Sequence, residues 1–174
     1  AFTVNDAAGT TSSGTFNFSI TGVNDAPVVV APAGPLSITE DTWLAIEGTG
    51  FSFTDVDAGA GTLQMTLNVT QGYLTVGLGN SGVWIVSGNV TGTVVLAGDA
   101  MALNNLITGA STGFVRYIQN VDNPAASTTL TITVNDQGNT GSDPGLTGNA
   151  SSEEHSASVL INVTAVNLSL IHIS

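Results

Sequence analysis

The chain has 174 residues and a formal net charge of −12, because 13 acidic residues face a single cationic side chain, Arg116. Nucleic acids and anionic membrane surfaces are bound through clustered Lys and Arg, so this balance argues against both and favours cations as partners. Cysteine is absent, which excludes disulfides and thiolate metal sites, and no apolar run approaches the roughly 20 residues of a membrane span.

Strand patterns run through almost the whole sequence. Apolar and polar residues alternate with a period of two, which predicts half-buried antiparallel strands. β-branched residues dominate these segments, and Gly, Asn, Asp and Ser separate them at short intervals. Many short strands of this kind predict an all-β fold, an antiparallel β-sandwich. In chain order, the predicted strands cover residues 16–21, 43–46, 51–53, 63–69, 73–76, 83–86, 93–96, 114–118, 130–134 and 159–163.

One segment, residues 99–107, breaks the strand pattern and is typical of a short helix. Asp99 is expected to cap its N-terminus, and Gly109 is expected to end it in a left-handed conformation. The helix would form a crossover that closes the sandwich. The residues expected to face the core are Met101 or Ala102, Leu103, Leu106 and Ile107.

The sequence also contains an internal repeat. Two pairs of segments match in the same order, and the loop between them is longer in the second copy. We therefore expect residues 1–24 to be the last hairpin of a preceding domain and residues 25–167 to be the complete following domain. The matching segments are residues 2–6 with 132–136 and residues 20–24 with 163–167.

The last seven residues, 168–174, do not follow the repeat, which predicts Asp-Ala-Pro after Asn167. They read Leu-Ser-Leu-Ile-His-Ile-Ser and contain none of the local turn chemistry. This heptapeptide resembles the translated end of a transposon-based sequencing adapter, so we predict a non-native tail. His172 consequently receives no functional role.

Oxygen-bearing side chains cluster where the predicted strands begin and end. Ca²⁺ takes six to eight oxygen ligands from carboxylates, amides and backbone carbonyls. The alternative is that these residues only form Asx-turns and caps. With a net charge of −12 and no lysine, crowded acids would repel one another unless a cation lay between them, which favours calcium. The candidate metal ligands are Asn24, Asp25, Glu40, Asp55, Asp57 and Asp136.

Four motifs carry a resemblance to a known family: Val-Asn-Asp-Ala-Pro at 23–27, Ile-Thr-Glu-Asp-Thr at 38–42, Thr-Asp-Val-Asp-Ala-Gly at 54–59 and Thr-Val-Asn-Asp-Gln-Gly at 133–138. Up to Asn167 the chain resembles the cadherin-like tandem repeats of giant bacterial RTX-type surface adhesins. The resemblance implies an Ig/cadherin-like sandwich with calcium between successive domains. It also implies an extracellular place on the bacterial cell surface, where neighbouring repeats of the same chain are the partners and the distal ligand is unknown.

The resemblance divides the candidate ligands between two domain junctions. Glu40 would lie at the opposite end of the domain, beside Asn167, and serve the next junction. The function implied is a spacer that calcium makes rigid, for cell adhesion or biofilm formation, with no catalytic site. The ligands of the first junction would be Asn24 and Asp25 from the linker, with Asp55, Asp57 and Asp136 from the following domain.

Two other functions remain open at the level of sequence. The sandwich would recognise a glycan or a protein if Trp43, Tyr73 or Trp84 were exposed, although aromatic residues in strands more often lie in the core. It would also fit an accessory domain of a secreted enzyme. Residues 153–155 (Glu-Glu-His) are expected to form a solvated loop, and Arg116 is expected to pair with an acid across the sheet.

Overall fold

The computed structural model describes residues 1–149 and 151–166, so Asn167 and the predicted non-native tail at 168–174 lie outside the described residues. Within the described ranges the chain forms thirteen strands and one helix. The predicted fold class, an all-β sandwich with one short helix, is confirmed. The eight-residue helix is far too short for a bilayer, and these ranges contain no helix with the length and apolarity that a membrane span requires.

Nine of the ten predicted strands form, whereas the first four strands of the structure were not among the predicted strands and the last two strands begin earlier than predicted. Those predicted at residues 63–69 and 114–118 form with the same bounds, as β7 and β11. The elements are β1 (Phe2–Asn5), β2 (Thr11–Gly14), β3 (Val28–Val30), β4 (Leu36–Thr39), β5 (Trp43–Ala45), β6 (Ser52–Thr54), β7 (Leu63–Val69), β8 (Tyr73–Gly77), β9 (Trp84–Ser87), β10 (Thr93–Gly98), α1 (Ala100–Ile107), β11 (Phe114–Ile118), β12 (Ser127–Asn135) and β13 (Glu154–Thr164).

The larger layer is a six-stranded sheet in the order β4-β13-β12-β7-β10-β9. The three-stranded sheet β5-β11-β8 and the pairs β3-β6 and β1-β2 complete the fold. Neighbouring strands are antiparallel except β4 and β13, which run parallel with Leu36 opposite Ile161. Period-two burial along β7 and β12 sends alternate side chains into the core, among them Leu67 and Ile132. Burial of each such aliphatic side chain stabilises the fold by about 1.5–3 kcal/mol.

The helix α1 forms as predicted. The carboxylate of Asp99 accepts a hydrogen bond from the amide of Ala102 at 2.7 Å, which satisfies one free donor of the first turn. Gly109 follows the last turn with a φ of +77°, a left-handed conformation that glycine adopts without strain. Ala102 is buried, while Met101 is 74% exposed. The helix therefore presents Ala102 to the core in preference to Met101.

The strand predicted at residues 16–21 is not formed, and this prediction was wrong. The hairpin pairs β1 with β2 so that Phe2 lies opposite Gly14. In that register the positions opposite residues 16–21 precede residue 1, so no partner for them is among the described residues. Because a strand needs partners for its backbone N–H and C=O groups, the alternation alone does not produce one. The apolar residues of this segment, Phe16, Phe18 and Ile20, are consequently exposed.

Candidate cation site at the linker

The linker that precedes β3 is held by the long loop between β12 and β13. The amide of Asn24 donates to the carbonyl of Ser142 at 2.9 Å, and the amide of Ser142 donates to the carbonyl of Gly22 at 2.9 Å. The neighbouring Gly141 has a φ of +133°, and a side chain there would stand 2.5 Å from the backbone nitrogen of Asn24. This close approach of two backbones fixes the linker against the domain.

Asp136 lies directly after β12 and is completely buried. Its Oδ1 accepts hydrogen bonds from the amides of Gly138 at 2.7 Å and Glu153 at 2.9 Å. Its Oδ2 accepts a hydrogen bond from Nδ2 of Asn24, which is also buried. The fold therefore joins a linker residue to a domain residue 112 positions away in the sequence.

Asp55 and Asp57 form a turn directly after β6. The Oδ1 atom of Asp55 accepts from the amides of Asp57 at 3.2 Å and Ala58 at 3.1 Å. The Oδ2 atom of Asp57 accepts from the amide of Asp25 at 3.0 Å, while the side chain of Asp25 itself is exposed. Because Asn24 and Asp25 are consecutive, the Asp55 turn and the Asn24–Asp136 pair lie side by side.

Several oxygens of this region lack a hydrogen-bond partner. Six buried polar side-chain atoms of the described residues have no partner, and three of the six are Oδ1 of Asn24, Oδ2 of Asp55 and Oδ1 of Asp57. A buried acceptor without a partner costs about 1–3 kcal/mol. Carboxylate and amide oxygens are the ligands that Ca²⁺ prefers, so the residues present fit this ion.

The carboxylates of this region do not surround a single point. Within residues 1–149 and 151–166, no three acidic or histidine side chains stand close enough together to form a complete metal site. The oxygens are arranged instead as the Asp55–Asp57 turn and the Asn24–Asp136 pair. The Thr140 hydroxyl donates to the carbonyl of Asp57 and so ties the loop after β12 to that turn. An ion would act by drawing these two groups together.

Burial and the neighbouring Asp57 carboxylate change the ionisation of Asp55. Burial raises the pKa of Asp55, and the adjacent carboxylate of Asp57 raises it further, while the amides of Asp57 and Ala58 oppose the rise. Two like charges held this close favour a proton or a metal ion between them. Acid and calcium are therefore expected to compete for this turn.

Glu153 belongs to this region although it was not among the predicted metal ligands. The expectation of a solvated loop is wrong, because Glu153 is completely buried and β13 begins at the next residue. Its carboxylate accepts from the amides of Leu146 at 3.1 Å and Thr147 at 2.7 Å, and from the Thr147 hydroxyl. The hydroxyl bond lowers the pKa of Glu153. Glu153 thus organises the loop that holds Asp136 and the linker.

These opposite pKa changes predict a pH dependence in the absence of metal. The raised pKa of Asp55 means that the folded chain takes up this proton more readily, so its contribution to stability is lost as pH rises above 3.8 through the raised pKa. The lowered pKa of Glu153 contributes stability above 4.5 that is lost as pH falls through its folded value. We expect urea denaturation in chelator to show stability falling as pH rises from 3.8 through the raised pKa of Asp55, and falling as pH drops from 4.5 through the lowered pKa of Glu153. In Asp55→Asn the fall with rising pH should flatten; an unchanged profile would contradict this assignment.

Glu40 lies apart from the other candidate ligands. It is 2% exposed, its Oε2 accepts from the amide of Val166 at 2.9 Å, and its own amide donates to the carbonyl of Thr164 at 2.9 Å. Thr164 ends β13, while Glu153, the neighbour of Asp136, precedes its start. The eleven-residue strand separates the two ends by about 33 Å at 3.3 Å per residue. Glu40 therefore cannot share an ion with Asp136.

The first hairpin repeats the geometry of the last one. The sequence alignment matches Phe2 with Ile132 and residue 14 with Ala157, and the structure pairs Phe2 with Gly14 and Ile132 with Ala157. The correspondence extends to side chains: Oδ1 of Asp6 accepts from the amides of Ala8 at 2.9 Å and Thr10 at 2.8 Å. These positions align with Gly138 and Glu153, whose amides donate to Oδ1 of Asp136.

Comparison with known proteins adds little. No protein-family model matches the sequence, and no curated protein matches it. Three chains of solved structures match. One is AvmM, which catalyzes macrocyclization in alchivemycin A biosynthesis; it shares 14% identity with this chain over 86% of this chain and 94% of its own length, with a TM-score of 0.33. A likeness this weak carries no argument about function.

Proposed function

We propose that this chain is a calcium-stabilised extender module of a large extracellular adhesin. In this proposal residues 1–24 end one repeat, residues 25–167 form the next, and a calcium site lies between them. The observation that carries the proposal is the set of buried oxygens without hydrogen-bond partners among the described residues, on Asn24 of the linker and on Asp55 and Asp57 of the domain.

The proposed mechanism is mechanical. Without metal, the Asp55 and Asp57 carboxylates repel each other and the linker is held by hydrogen bonds to the Ser142 backbone and to Asp136. A calcium ion would be coordinated by Oδ1 of Asn24 and by the unpartnered carboxylate oxygens of Asp55 and Asp57. Because these oxygens come from the linker and from the domain that follows it, the ion would fix the linker against that domain and so restrict the angle between successive domains. A series of such junctions makes a stiff rod that holds a distal binding tip away from the cell.

The two hairpins support the tandem arrangement. Equal register and equal capping of Asp6 and Asp136 are expected if both hairpins come from copies of one repeat. By the same correspondence Asp6 would serve the junction before its own domain. Glu40, beside Val166, would serve the junction that follows. Each repeat would then give oxygens to the junctions at both of its ends.

Calcium is expected to raise the melting temperature of the chain, and chelator to reverse the rise. Extracellular modules bind calcium with dissociation constants of about 10⁻⁴–10⁻³ M. At a calcium concentration 100 times the dissociation constant, mass action stabilises the fold by about 2.7 kcal/mol. For a chain of this length that corresponds to roughly 5–10 °C. Calorimetry in calcium, in magnesium and in EDTA measures the effect.

Small-angle scattering of a chain with two complete repeats separates the mechanical function from simple metal binding. Calcium should lengthen the particle and narrow its distribution of interatomic distances, because the junction becomes rigid. Magnesium should act weakly, since it prefers fewer protein ligands and keeps its waters. Equal melting curves and equal scattering profiles in calcium and EDTA would overturn the proposal.

A further inference from the structure

The only Lys or Arg of the chain lies on the outer face of the β5-β11-β8 sheet. The residues opposite Arg116 on the neighbouring strands are Ala45 and Thr75, so the expected acidic partner is not at either position. The guanidinium carbon instead lies 3.9 Å from the centroid of the Trp43 ring and 4.3 Å from that of Phe114. Two aromatic rings thus hold the guanidinium in place.

The two aromatic rings contact the Arg116 guanidinium but supply no hydrogen-bond acceptor for its Nε. Its Nε is buried and has no hydrogen-bond acceptor among the described residues. The two Nη groups of a planar guanidinium form a rigid fork that matches the two oxygens of a carboxylate, and a ligand would meet these groups, not the buried Nε. Because the rings of Trp43 and Phe114 restrict Arg116, little side-chain freedom remains to be lost when such a ligand binds. The site is therefore prepared for a planar anion.

Aromatic side chains extend the site across the sheet. Trp43 lies opposite Ile118, and Ile118 lies opposite Tyr73 on the other side. Trp43 is 55% exposed and Trp84, on the other sheet, is 49% exposed, so the expectation that these residues belong to the core is wrong. Trp43 and Tyr73 are two strand spacings apart, about 10 Å. The apolar face of a sugar ring stacks on rings of this kind, and the spacing leaves room for more than one ring.

We propose that this face, defined by Trp43, Tyr73, Phe114 and Arg116, binds a sugar acid of the uronate class. The sugar ring would stack on Trp43 while its carboxylate accepts the donors of Arg116. This binding site lies outside the linker and does not depend on the calcium-stabilised spacer function.

The charges around the face favour one isolated carboxylate over a polyanion. Nucleic acid requires many cationic contacts, and this chain has one Arg and no Lys. At physiological ionic strength, charges beyond about 8 Å are largely screened, so the distant acids scarcely oppose a single carboxylate. Glu47 follows β5, and its Oε2 accepts from the amide of Val115 at 2.9 Å. Its remaining acceptor capacity suits a sugar hydroxyl and disfavours a second anionic group.

The test is a titration of the chain with trigalacturonate, the uncharged galactotriose and a sulfated galactose trisaccharide, by isothermal calorimetry in EDTA. Trigalacturonate should bind, and the neutral and sulfated sugars should bind at least about tenfold more weakly. Arg116→Lys, which keeps the charge but loses the planar fork, should weaken the binding of trigalacturonate by about tenfold. Trp43→Ala should weaken the binding of every sugar that binds, because the sugar ring would stack on Trp43.

Trp84→Ala is the matched control, because Trp84 is 49% exposed on β9, the edge strand of the other sheet. It should leave the affinity unchanged. Trp43→Phe, which keeps a ring, should restore part of the binding, and circular dichroism should show that each variant is folded. Absence of trigalacturonate binding, equal binding of galactotriose, or an equal loss in Trp84→Ala would overturn the site. The titration is then repeated in calcium. If the spacer proposal failed, trigalacturonate would still bind in EDTA, so the two proposals are tested separately.

Discussion

Replacing Asp136 with alanine is expected to lower the free energy of unfolding by at least about 3 kcal/mol, because three donors in a buried site would lose their acceptor at about 1–3 kcal/mol each. Asp136 is completely buried and accepts hydrogen bonds from Gly138, Glu153 and Asn24. Alanine would leave these donors without an acceptor in a site that water does not reach. Urea denaturation in EDTA measures the loss, because chelator removes any contribution from calcium.

Two further variants identify the cause of that loss. Asp136→Asn keeps an oxygen for the amides of Gly138 and Glu153, and Asn24 can turn its unpartnered Oδ1 toward the new side-chain amide. The variant should therefore retain most of the metal-free stability, while its response to calcium falls because the Asn24 oxygen is no longer free. Asp6→Ala removes the aligned cap, whose Oδ1 accepts an equivalent pair of amides on an exposed hairpin. Water can replace that acceptor, so the loss should be about 1 kcal/mol or less. Equal losses in Asp6→Ala and Asp136→Ala would show that burial is not the reason.

The sequence predicted the positions at which strands end better than the contacts between those ends. Period-two alternation placed β7 and β11 residue for residue, because a half-buried strand must alternate. The same reasoning failed at residues 16–21, where the alternation is present but the hairpin register supplies no partner strand. Pairing between strands is a property of the fold, and a local pattern does not contain it.

The candidate site was partly predictable for the same reason. The turns at Asp55 and Asp136 follow directly from the ends of β6 and β12, so their neighbourhood at one end of the sandwich could be expected. The role of Glu153 could not, because a long Gly- and Ser-rich loop has no periodicity that marks an acid as buried. Nor does spacing reveal that Oδ1 of Asn24 lacks a partner within the described residues, since this depends on a contact 112 positions away.

Asp55→Asn is expected to change stability in different ways with and without calcium. In EDTA the variant should be as stable as the original chain or slightly more stable, because the substitution removes the repulsion between the carboxylates of Asp55 and Asp57. Its side-chain oxygen can still accept from the amides of Asp57 and Ala58. In calcium the variant should be the less stable protein, because one charged ligand of the proposed site is lost.

The size of the calcium effect follows from mass action. At 100 times the original dissociation constant, calcium stabilises the original chain by about 2.7 kcal/mol; a tenfold weaker site leaves about 1.4 kcal/mol. Asp99→Asn is the matched control, since it also removes one negative charge, and asparagine caps a helix as well as aspartate does. It should leave the calcium increment unchanged. If both variants lost the same increment, calcium would be acting through the net charge of −12 and not through a site at the linker. A loss confined to Asp55→Asn would instead tie the ion to the turn that meets the linker at Asp25.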